Sequence, residues 1–526
     1  MRFLLVALLF LPALTAADFD LLIRNARVVD GAGNPWFVAD VGVKDGKIAS
    51  IGRLDGKTAD SVVDAGRRVL TPGFIDVHAH IEERTFRPGI TDYPDAFNYT
   101  MDGKTTMITG NCGSSKVDLG GWFSALEQSG LGPNLMTLVG HNSVRQEVMG
   151  DAQRAATPEE MSKMEALVDK AMKAGAVGLS TGLIYIPGTY ADTDEVVKLA
   201  KVAGKHGGVY ATHMRNEGAE VLAAIREAVY IGEQAGTPVQ ISHFKISDKR
   251  RWGNSDKSIE LVEEYRRKGV DVVVDQYPYD RSSTGVSTTL PTWALADGQD
   301  AIRARLRDPA TRAKVIAGMK EILDTKGFGD YSHAMVASCD WEPALAGKTI
   351  SEVNVMRGRQ ATVDNEIQTI LELVEKGSVP MVFHSMSDDD VERIMRYRNT
   401  AISSDGYILK FGEGVPHPRS YGTYARAFAE YVRKRKVLTL EDAVRKATSL
   451  PAQTFGIKDR GLLREGYAAD LVLFDPEKVQ DNATFEAPHQ YSSGFDYVIV
   501  NGVPIVADGE RTGKRPGRIL RHQSEM

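Results

Sequence analysis

The chain has 526 residues, of which 42% are hydrophobic, and a formal net charge of −6 with a pI near 6.1. This length and balanced composition predict a large globular domain with a smaller companion domain. The slightly acidic balance provides no basic patch, which argues against nucleic acid and anionic membrane surfaces as partners and leaves a small molecule as the expected ligand. The oligomeric state stays open.

The N-terminal segment, residues 1–17, combines one early arginine, an apolar run and the small residues Thr-Ala-Ala before Asp18. This pattern predicts a secretory signal peptide and therefore an exported protein, periplasmic or secreted. An anchor helix is the alternative, but the apolar run is well short of the ~20 residues that span a bilayer. We therefore expect no stable membrane span after signal removal. The two cysteines, Cys112 and Cys339, allow at most one intramolecular disulfide.

Both ends of the mature chain consist of short apolar strands and tight turns. In residues 18–70, the dipeptide Asp45-Gly46 between two apolar runs predicts a hairpin. Residues 456–526 contain a similar block, with apolar strands at 469–474 and 497–506. We expect the two ends to build one small β-sandwich, although two unrelated β caps would produce the same pattern.

Between these ends, residues 71–455 alternate apolar strands with amphipathic helices. One helix is predicted from Pro158, with Thr157 as its N-cap. The eight predicted strands are Phe74–Val77, Thr105–Thr109, Leu135–Val139, Ala176–Ser180, Gly208–Thr212, Val239–Ser242, Val270–Asp275 and Thr400–Ser404. Continuous apolar strands in repeated β-α order favour a parallel TIM-like (β/α)8 barrel over an open doubly wound sheet.

Polar helices interrupt this rhythm between about residues 289 and 398, which predicts an insertion before the last barrel strand. The run Val379–His384 is a further strand that belongs either to the barrel or to the insertion. His384 at its end therefore has no assigned role, and a structural role or support of a metal ligand is favoured over direct metal binding.

Metal-capable side chains follow the predicted strands. In a strand, the spacing of His78 and His80 places both rings on one face, but the pair alone fits a ligand pair and two solvated histidines equally well. Each further residue also has an ordinary explanation, such as a buried satisfied histidine or a turn aspartate. Their shared location at strand ends nevertheless predicts one metal site formed by His78, His80, Cys112, His213, His243 and Asp405.

The assembled motifs resemble the amidohydrolase superfamily and, within it, the D-aminoacylases, or N-acyl-D-amino-acid deacylases. The motifs that carry the resemblance are Gly73–His80, Gly110–Gly113, Gly140–Arg145, Gly178–Tyr185, Thr212–Glu217, Tyr277–Tyr279, Ser404–Gly406, His417–Arg419 and Gly466–Leu471. The resemblance covers nearly the whole mature chain. It implies a TIM-like metal-dependent hydrolase barrel, a small β-sandwich from both chain ends and an insertion before the last strand.

Many members of the superfamily bridge two metals with a lysine on the fourth strand, but residues 176–183 contain no lysine, and Cys112 looks like its replacement. The resemblance implies a tight zinc held by Cys112, His213 and His243. It also implies a weaker second position near His78, His80 and Asp405. The implied reaction is hydrolysis of N-acyl-D-amino acids by metal-activated water, with Asp405 as general base and then general acid.

Four residues match positions that bind the substrate's α-carboxylate in the family: Lys245, Tyr277, Ser283 and Arg419. A solvated face is the less favoured alternative for the two cations, and a structural hydrogen bond is the alternative for Tyr277 and Ser283. Arg281-Ser282 is bulkier than the family's usual glycine, which leaves the pocket shape and the preferred side chain open. Three further polar residues fit either support of the metal ligands or buried ion pairs: His141, Arg215 and Glu217.

Two other functions compete with this prediction. The first is hydrolysis of a cyclic amide or a dipeptide, and the missing lysine on the fourth strand argues against the cyclic amide. The second is a catalytically inactive relative that serves in binding or assembly, but such relatives typically lose ligands that this chain keeps. The sequence specifies neither the acyl group nor the physiological substrate.

Overall fold

The computed structural model describes residues 17–83 and 87–522. Apart from Ala17, the predicted signal peptide lies outside these residues, so it remains a prediction. Within the described part of the chain, no helix is both long enough and apolar enough to cross a membrane. Both cysteines are buried as free thiols.

The centre of the molecule is a closed barrel of eight parallel strands, numbered here one to eight in chain order. They are Phe74–Asp76, Lys104–Thr109, Asn134–Thr137 (continued by Val139–Gly140), Gly178–Gly182, Val209–His213, Val239–Ile241, Val272–Gln276 and Thr400–Ile402. Each strand pairs in parallel with its neighbour. Beyond strands one and eight, Ala79–His80 pairs with Gly406–Tyr407 and closes the ring. The predicted barrel is confirmed.

The helices that surround the barrel follow the strands as predicted. They are Phe97–Thr100, Leu119–Ser129, His141–Met149, Pro158–Ala174, Thr193–Lys205, Val221–Ala235, Ser255–Arg267, Asp388–Arg396, Arg419–Arg426, Leu440–Ala447 and Ser449–Thr454, with a π-helix at Ala427–Lys434. Short 3-10 turns lie at Gly188–Tyr190 and Lys249–Arg251. Thr157 forms a capping box with Glu160, which confirms the N-cap predicted for the helix that begins at Pro158.

Tyr424 ties the first and last barrel strands together. Its hydroxyl lies 3.0 Å from the carbonyl oxygen of Ile75 in strand one and 2.9 Å from that of Ile402 in strand eight. Tyr424→Phe should therefore lower the free energy of unfolding by about 1–3 kcal/mol, because two buried carbonyls lose their shared donor. Urea denaturation would measure the change.

Tyr431 provides the control for this substitution. It is also fully buried, but its hydroxyl has no hydrogen-bond partner among the described residues. Tyr431→Phe should therefore be neutral or slightly stabilising, since no hydrogen bond is lost. Equal destabilisation by the two substitutions would contradict a specific role for Tyr424 in barrel closure.

The two chain ends form one continuous sheet of nine strands. They are Phe19–Val28, Phe37–Lys44, Lys47–Gly52, Ala59–Asp64, Val69–Pro72, Leu471–Phe474, Phe495–Val500, Val503–Ala507 and Glu510–Arg511. The two halves meet where Val69–Pro72 pairs antiparallel with Leu471–Phe474. Asp45 and Gly46 both adopt positive φ, at 51° and 74°, in the predicted hairpin turn. The prediction that the two ends combine is thus correct.

The chain after this sheet departs from the prediction that assigned all of 456–526 to the β domain. The backbone N–H of Leu135, in barrel strand three, donates to the carbonyl of Arg518, and the N–H of Leu520 donates back to Leu135. Ile519 between them is buried in the barrel core. Residues 518–520 therefore pack on the barrel at strand three and not in the β domain.

The insertion lies between strands seven and eight and has its own sheet and core. Its strands are Arg281–Gly285, Ala334–Val336 and Pro380–His384, and its helices are Gln299–Arg307, Pro309–Lys326, Ile350–Met356 and Val363–Lys376, with short 3-10 turns at Val286–Thr289, Thr292–Leu295 and Pro343–Leu345. Pro380–His384 is the central strand, with antiparallel partners on both sides. The undecided strand at 379–384 therefore belongs to the insertion.

The predicted insertion limits, 289 and 398, need correction at both ends. The insertion's sheet already begins at Arg281, so Ser283 lies in the insertion rather than in the barrel. At the other end, helix Asp388–Arg396 buries Ile394 in the barrel core and packs against helix Ser255–Arg267. It is the barrel's own helix. Its three consecutive acidic residues made it resemble the polar helices of the insertion.

Candidate metal centre and active site

The structure brings all six predicted metal-binding side chains together at the carboxyl ends of the barrel strands. Every one of them is buried. They come from the segments after strand one (His78, His80), strand two (Cys112), strand six (His243) and strand eight (Asp405), and from the last residue of strand five (His213). This is the end of a TIM-like barrel at which active sites are built.

The thiol of Cys112 is surrounded by three imidazoles. Its Sγ lies 3.3 Å from Nε2 of His78, 3.7 Å from Nδ1 of His213 and 3.5 Å from Nε2 of His243. A tetrahedral zinc ion with the usual Zn–S and Zn–N bond lengths separates its sulfur and nitrogen ligands by about 3.6 Å. The spacing of these donors therefore fits a zinc ion.

Asp405 forms a second donor group with the two histidines of strand one. Its Oδ1 lies 3.1 Å from Nε2 of His80 and 3.5 Å from Nε2 of His78. His78 therefore belongs to both groups, whereas the sequence assigned it to the second metal position alone. Within the described residues, the sets of donors close enough to share an ion are His78–Cys112–His243, His78–His80–Asp405 and His213–Glu217–His243. The second expected position, His78–His80–Asp405, is one of these sets, whereas the trio Cys112, His213 and His243 expected for the tight position is not: His78 is grouped with Cys112 and His243 in its place.

Three of the donors have strained backbone conformations. Cys112, His243 and Asp405 adopt positive φ angles of 53°, 35° and 48°. This region is sparsely populated by residues with a side chain, and such strain clusters at functional sites. Gly110, two residues before Cys112, also has positive φ. A Cβ there would lie 2.1 Å from the carbonyl oxygen of Leu138, so no larger residue fits at position 110. The backbone thus turns sharply to aim each donor inward.

The electrostatics of the cluster favour anionic donors. Burial raises the pKa of the Cys112 thiol, but the charge of His78 and hydrogen bonds with His213 and His243 outweigh this and hold the pKa well below its ordinary value. Burial likewise raises the pKa of Asp405, but the charges of Arg419 and His78 hold it well below the usual range. A thiolate and a carboxylate side by side attract positive charge, which a divalent cation supplies.

Glu217 holds His243 in place from behind. Its Oε1 lies 2.9 Å from Nδ1 of His243 and 2.7 Å from Nζ of Lys245. Because Nδ1 of His243 faces Glu217 and Lys245, Nε2 is the nitrogen that faces Cys112. Such a carboxylate partner fixes the tautomer and raises the basicity of a metal-binding histidine. Glu217 therefore contacts His243 and Lys245, and it also forms a donor set of its own with His213 and His243.

Asp275, at the end of strand seven, is a site residue that the sequence argument missed. It accepts hydrogen bonds from the backbone N–H of His243 at 2.9 Å, from Ser403 Oγ at 2.6 Å and from Gln240 at 2.8 Å. Its Oδ2 also lies 3.4 Å from Nδ1 of His78. The strand-end rule that identified the other donors would have found it, because Asp275 ends the predicted seventh strand. The residue fixes two histidines at once.

Three of the four predicted substrate-binding residues, Lys245, Tyr277 and Ser283, border one cavity of about 1880 Å³ that five of the six donors also line. Arg419 is fully buried, with Nη1 2.8 Å from Oδ2 of Asp405. Its guanidinium lies 4.5 Å above the ring of Tyr277, whose buried hydroxyl has no well-formed hydrogen bond to any described residue. Ser283 lines the cavity from the insertion, and Lys245 lines it while bound to Glu217.

Tyr185 is a second residue for which the sequence argument gave no role. Its ring packs edge-on against His213, with 4.8 Å between the ring centres, and its hydroxyl accepts a hydrogen bond from Thr284 of the insertion. Asn142 holds this loop by donating to the carbonyls of Gly182 and Tyr185. The motif Gly178–Tyr185 gave a signal for this position, but only the fold shows that Tyr185 faces the donors.

Three other predicted residues lie away from the donor cluster. Glu195 forms a buried ion pair with His141, and Glu227 pairs with Arg215. Both pairs are structural contacts between barrel segments. His384 is half exposed at the end of the insertion's central strand, 3.3 Å from Asp280. The structural role favoured for His384 agrees with this position.

The barrel and its buried Cys, His and Asp donors define the class of protein: a metal-binding TIM-barrel enzyme. A family model described as the amidohydrolase family matches residues 61–506. A D-aminoacylase from Alcaligenes xylosoxydans xylosoxydans is 35% identical over 525 residues, covering 95% of this chain and 97% of that protein. An N-acyl-D-aspartate deacylase of the same organism is 35% identical, with 96% and 95% covered.

Solved structures agree with these relatives. A D-aminoacylase described as having a binuclear metal centre superposes with a TM-score of 0.81 at 32% identity, over 96% of this chain and 100% of that one. An N-acyl-D-glutamate deacylase from Bordetella bronchiseptica, solved with zinc and a phosphonate inhibitor, gives a TM-score of 0.81 at 31% identity, over 96% and 99%. This chain belongs to the amidohydrolase family and, within it, to the D-aminoacylases.

Proposed function

We propose that this protein is a zinc-dependent hydrolase that cleaves the amide bond of N-acyl-D-amino acids and releases a carboxylate and a free D-amino acid. The observation that carries the proposal is the buried donor cluster around Cys112, together with Asp405, which lines the same cavity and pairs with the buried Arg419 behind it. The relatives named as D-aminoacylase and N-acyl-D-amino-acid deacylases support the substrate class.

The donor chemistry supports zinc as the metal. One thiolate and several imidazoles are ligands that suit zinc, whereas magnesium and calcium prefer oxygen ligands. We assign the tight position to Cys112, His213 and His243, and a weaker one to His80 and Asp405, with His78 between them. When bound, zinc supplies a Lewis acid that polarises the amide carbonyl and lowers the pKa of water.

Asp405 is the proposed proton carrier. The charge of Arg419 holds its pKa low, so the carboxylate is ionised at neutral pH and can accept a proton from the attacking water. The protonated carboxyl group then donates that proton to the departing amine nitrogen. Each oxygen of the Asp405 carboxylate has its own partner. Nε2 of His80 lies 3.1 Å from Oδ1, and Nη1 of Arg419 lies 2.8 Å from Oδ2.

The substrate's α-carboxylate is proposed to bind at Arg419. A buried guanidinium can hold a carboxylate through two parallel hydrogen bonds. Tyr277 has an unused hydroxyl donor beside it, and Ser283 borders the same space. Lys245, whose Nζ lies 5.9 Å from the centre of the Tyr277 ring, adds a further donor, although two of its contacts are already made with Glu217 and His243.

Matched panels of N-acetyl-D- and N-acetyl-L-amino acids test the proposal directly. We expect kcat/KM to be at least about 100-fold higher for the D series. In the proposed pose, the substrate's α-carboxylate binds at Arg419 and its amide lies at the donor cluster. Inverting the configuration at Cα then exchanges the positions of the amino-acid side chain and the Cα hydrogen. Release of free amino acid is the measurement, and N-acetyl-D-methionine, -D-aspartate and -D-glutamate should be included.

Two controls accompany the panels. Protein stripped with a chelator should lose activity and regain it with added zinc, and a hydantoin should not be opened at a comparable rate. Faster turnover of the L series would refute the assignment to D-amino acids. Full activity of a metal-free preparation would refute the role of the metal.

A further inference from the structure

The cavity is larger than the reaction requires. Small-molecule sites usually occupy roughly 300–1,000 Å³, and an N-acetyl amino acid needs only the lower part of that range. The volume here is about 1880 Å³. The reacting groups, including Asp405 and Cys112, belong to the barrel, whereas much of the remaining lining belongs to the insertion. The shape therefore provides space for a second part of the substrate.

The insertion's wall of this cavity over residues 286–302 is uncharged and mainly apolar, with the polar members Ser287, Thr288, Thr292 and Gln299. No lining residue that this segment contributes is charged, and its lining side chains include Leu290, Trp293, Leu295 and Ile302. Leu290, Leu295 and Ile302 also pack into the insertion's own core, which fixes their positions. Phe383, from the insertion's central strand, lines the cavity and belongs to the same core. The cavity is therefore lined on this side by apolar side chains that the insertion's core holds in place.

This wall is connected to the carboxylate-binding end of the cavity. Ser283 lies in strand Arg281–Gly285, and the apolar segment begins at Val286. Val286 follows Ser283 by three residue steps of extended chain, a distance of about 10 Å. The side chain of an ordinary amino acid does not extend that far along the wall from an α-carbon near Arg419, but an acyl chain of several carbons does.

We propose that the apolar wall formed by residues 286–302 binds a medium-length alkyl chain on the acyl group of the substrate, so that the preferred substrates are N-acyl-D-amino acids with acyl chains of about six to ten carbons. This inference rests on the proposed function. It extends that function by naming the acyl class, and it gives the insertion a role in selecting it.

The test compares N-acetyl, N-butanoyl, N-hexanoyl and N-octanoyl derivatives of one D-amino acid that the N-acetyl panel shows to be accepted. We expect kcat/KM to rise by roughly two- to four-fold for each CH2 that leaves water, and by at least about 50-fold from acetyl to octanoyl. A series that is flat or falls with chain length overturns the inference. So does a gain that comes only from enlarging the amino-acid side chain.

Two tryptophans of the insertion provide matched variants. Trp293 lines the cavity and is 37% exposed, whereas Trp341 is 39% exposed and lies outside the lining. Trp293→Ser should lower the octanoyl-to-acetyl ratio of kcat/KM by about ten-fold, because an aromatic contact with the chain is lost. Trp341→Ser should leave that ratio unchanged. Equal ratios in both variants and the parent would contradict the assignment of the wall.

The outcomes separate this inference from the proposed function. If N-acetyl-D-amino acids are cleaved but chain length has no effect, the function stands and the acyl class is wrong. If no N-acyl-D-amino acid of any length is cleaved, both fail. Inhibition by the product acids provides an independent measurement: octanoate should inhibit at concentrations at least about ten-fold lower than butyrate.

Discussion

Replacing Cys112 with serine is expected to abolish tight metal retention and to lower kcat/KM by at least about 100-fold. Removal of a residue that merely supports a metal ligand already costs about 10–100-fold, and Cys112 is the donor that three imidazoles surround. A serine hydroxyl keeps the shape of the side chain but does not ionise near neutral pH. Metal per chain after dialysis and amino-acid release are the two measurements.

Cys339 is the matched control. It is also a buried free thiol, and it lies in the insertion, where burial raises its pKa. Cys339→Ser should retain the metal and most of the activity. If both variants keep one zinc per chain, Cys112 is not a ligand. If both lose it, the loss reflects general damage to the fold, which circular dichroism would show.

The arrangement of the donors could be predicted because of one physical regularity. Parallel strands of a closed barrel all end on the same face, so polar residues that follow different strands converge. His78, Cys112, His213 and His243 are far apart in sequence, and their positions after apolar runs were enough to group them. The same rule points to Asp275, which ends the predicted seventh strand. However, no histidine or cysteine stands near Asp275 in the sequence, whereas His80 follows His78 by two residues.

The divided role of His78 could not be predicted. Sequence order pairs it with His80, two residues away, and the structure keeps that pairing through Asp405. Yet Nε2 of His78 is also the nitrogen nearest to the sulfur of Cys112. The position of the His78 ring between the two donor groups depends on its side-chain rotamer and on its contact with Asp275. The local sequence pattern predicts neither of these.

The fold was predictable where local patterns were strong. The barrel strands and the Asp45-Gly46 hairpin follow from apolar runs and turn residues. The limits of the insertion were not predictable, because helix Asp388–Arg396 is as polar as the insertion's helices and is a barrel helix only by its contacts. The C-terminal segment around Ile519 joins the barrel through backbone hydrogen bonds, which any sequence can make.

Arg419 places a buried positive charge next to the carboxylate of Asp405. Arg419 has no exposed surface, so its charge is held in the protein whether or not substrate is present. Asp405 compensates that charge in the structure. In the proposed mechanism, Arg419 binds the substrate's carboxylate and Asp405 carries the proton, so that recognition and proton transfer would depend on one ion pair.

Replacing Asp405 with asparagine should lower kcat by about 10²–10⁴-fold, because the side chain keeps its shape and its contact with His80 but can no longer carry a proton. Tight zinc should remain, since Cys112, His213 and His243 are unchanged. Activity and metal content are therefore measured on the same preparation. Loss of activity with zinc retained separates proton transfer from metal binding.

Asp481 offers the matched control, because it also forms an ion pair with an arginine, Arg426, at 3.2 Å and is also buried. Asp481→Asn removes a charge of the same kind from a pair that contacts none of the donors, so kcat should change by less than about three-fold. An Asp405→Asn enzyme with the kcat of the parent would rule out Asp405 as proton carrier. If Asp405→Asn instead loses zinc as completely as Cys112→Ser does, Asp405 is a ligand of the tight site. That site would then include Cys112, His78 and Asp405.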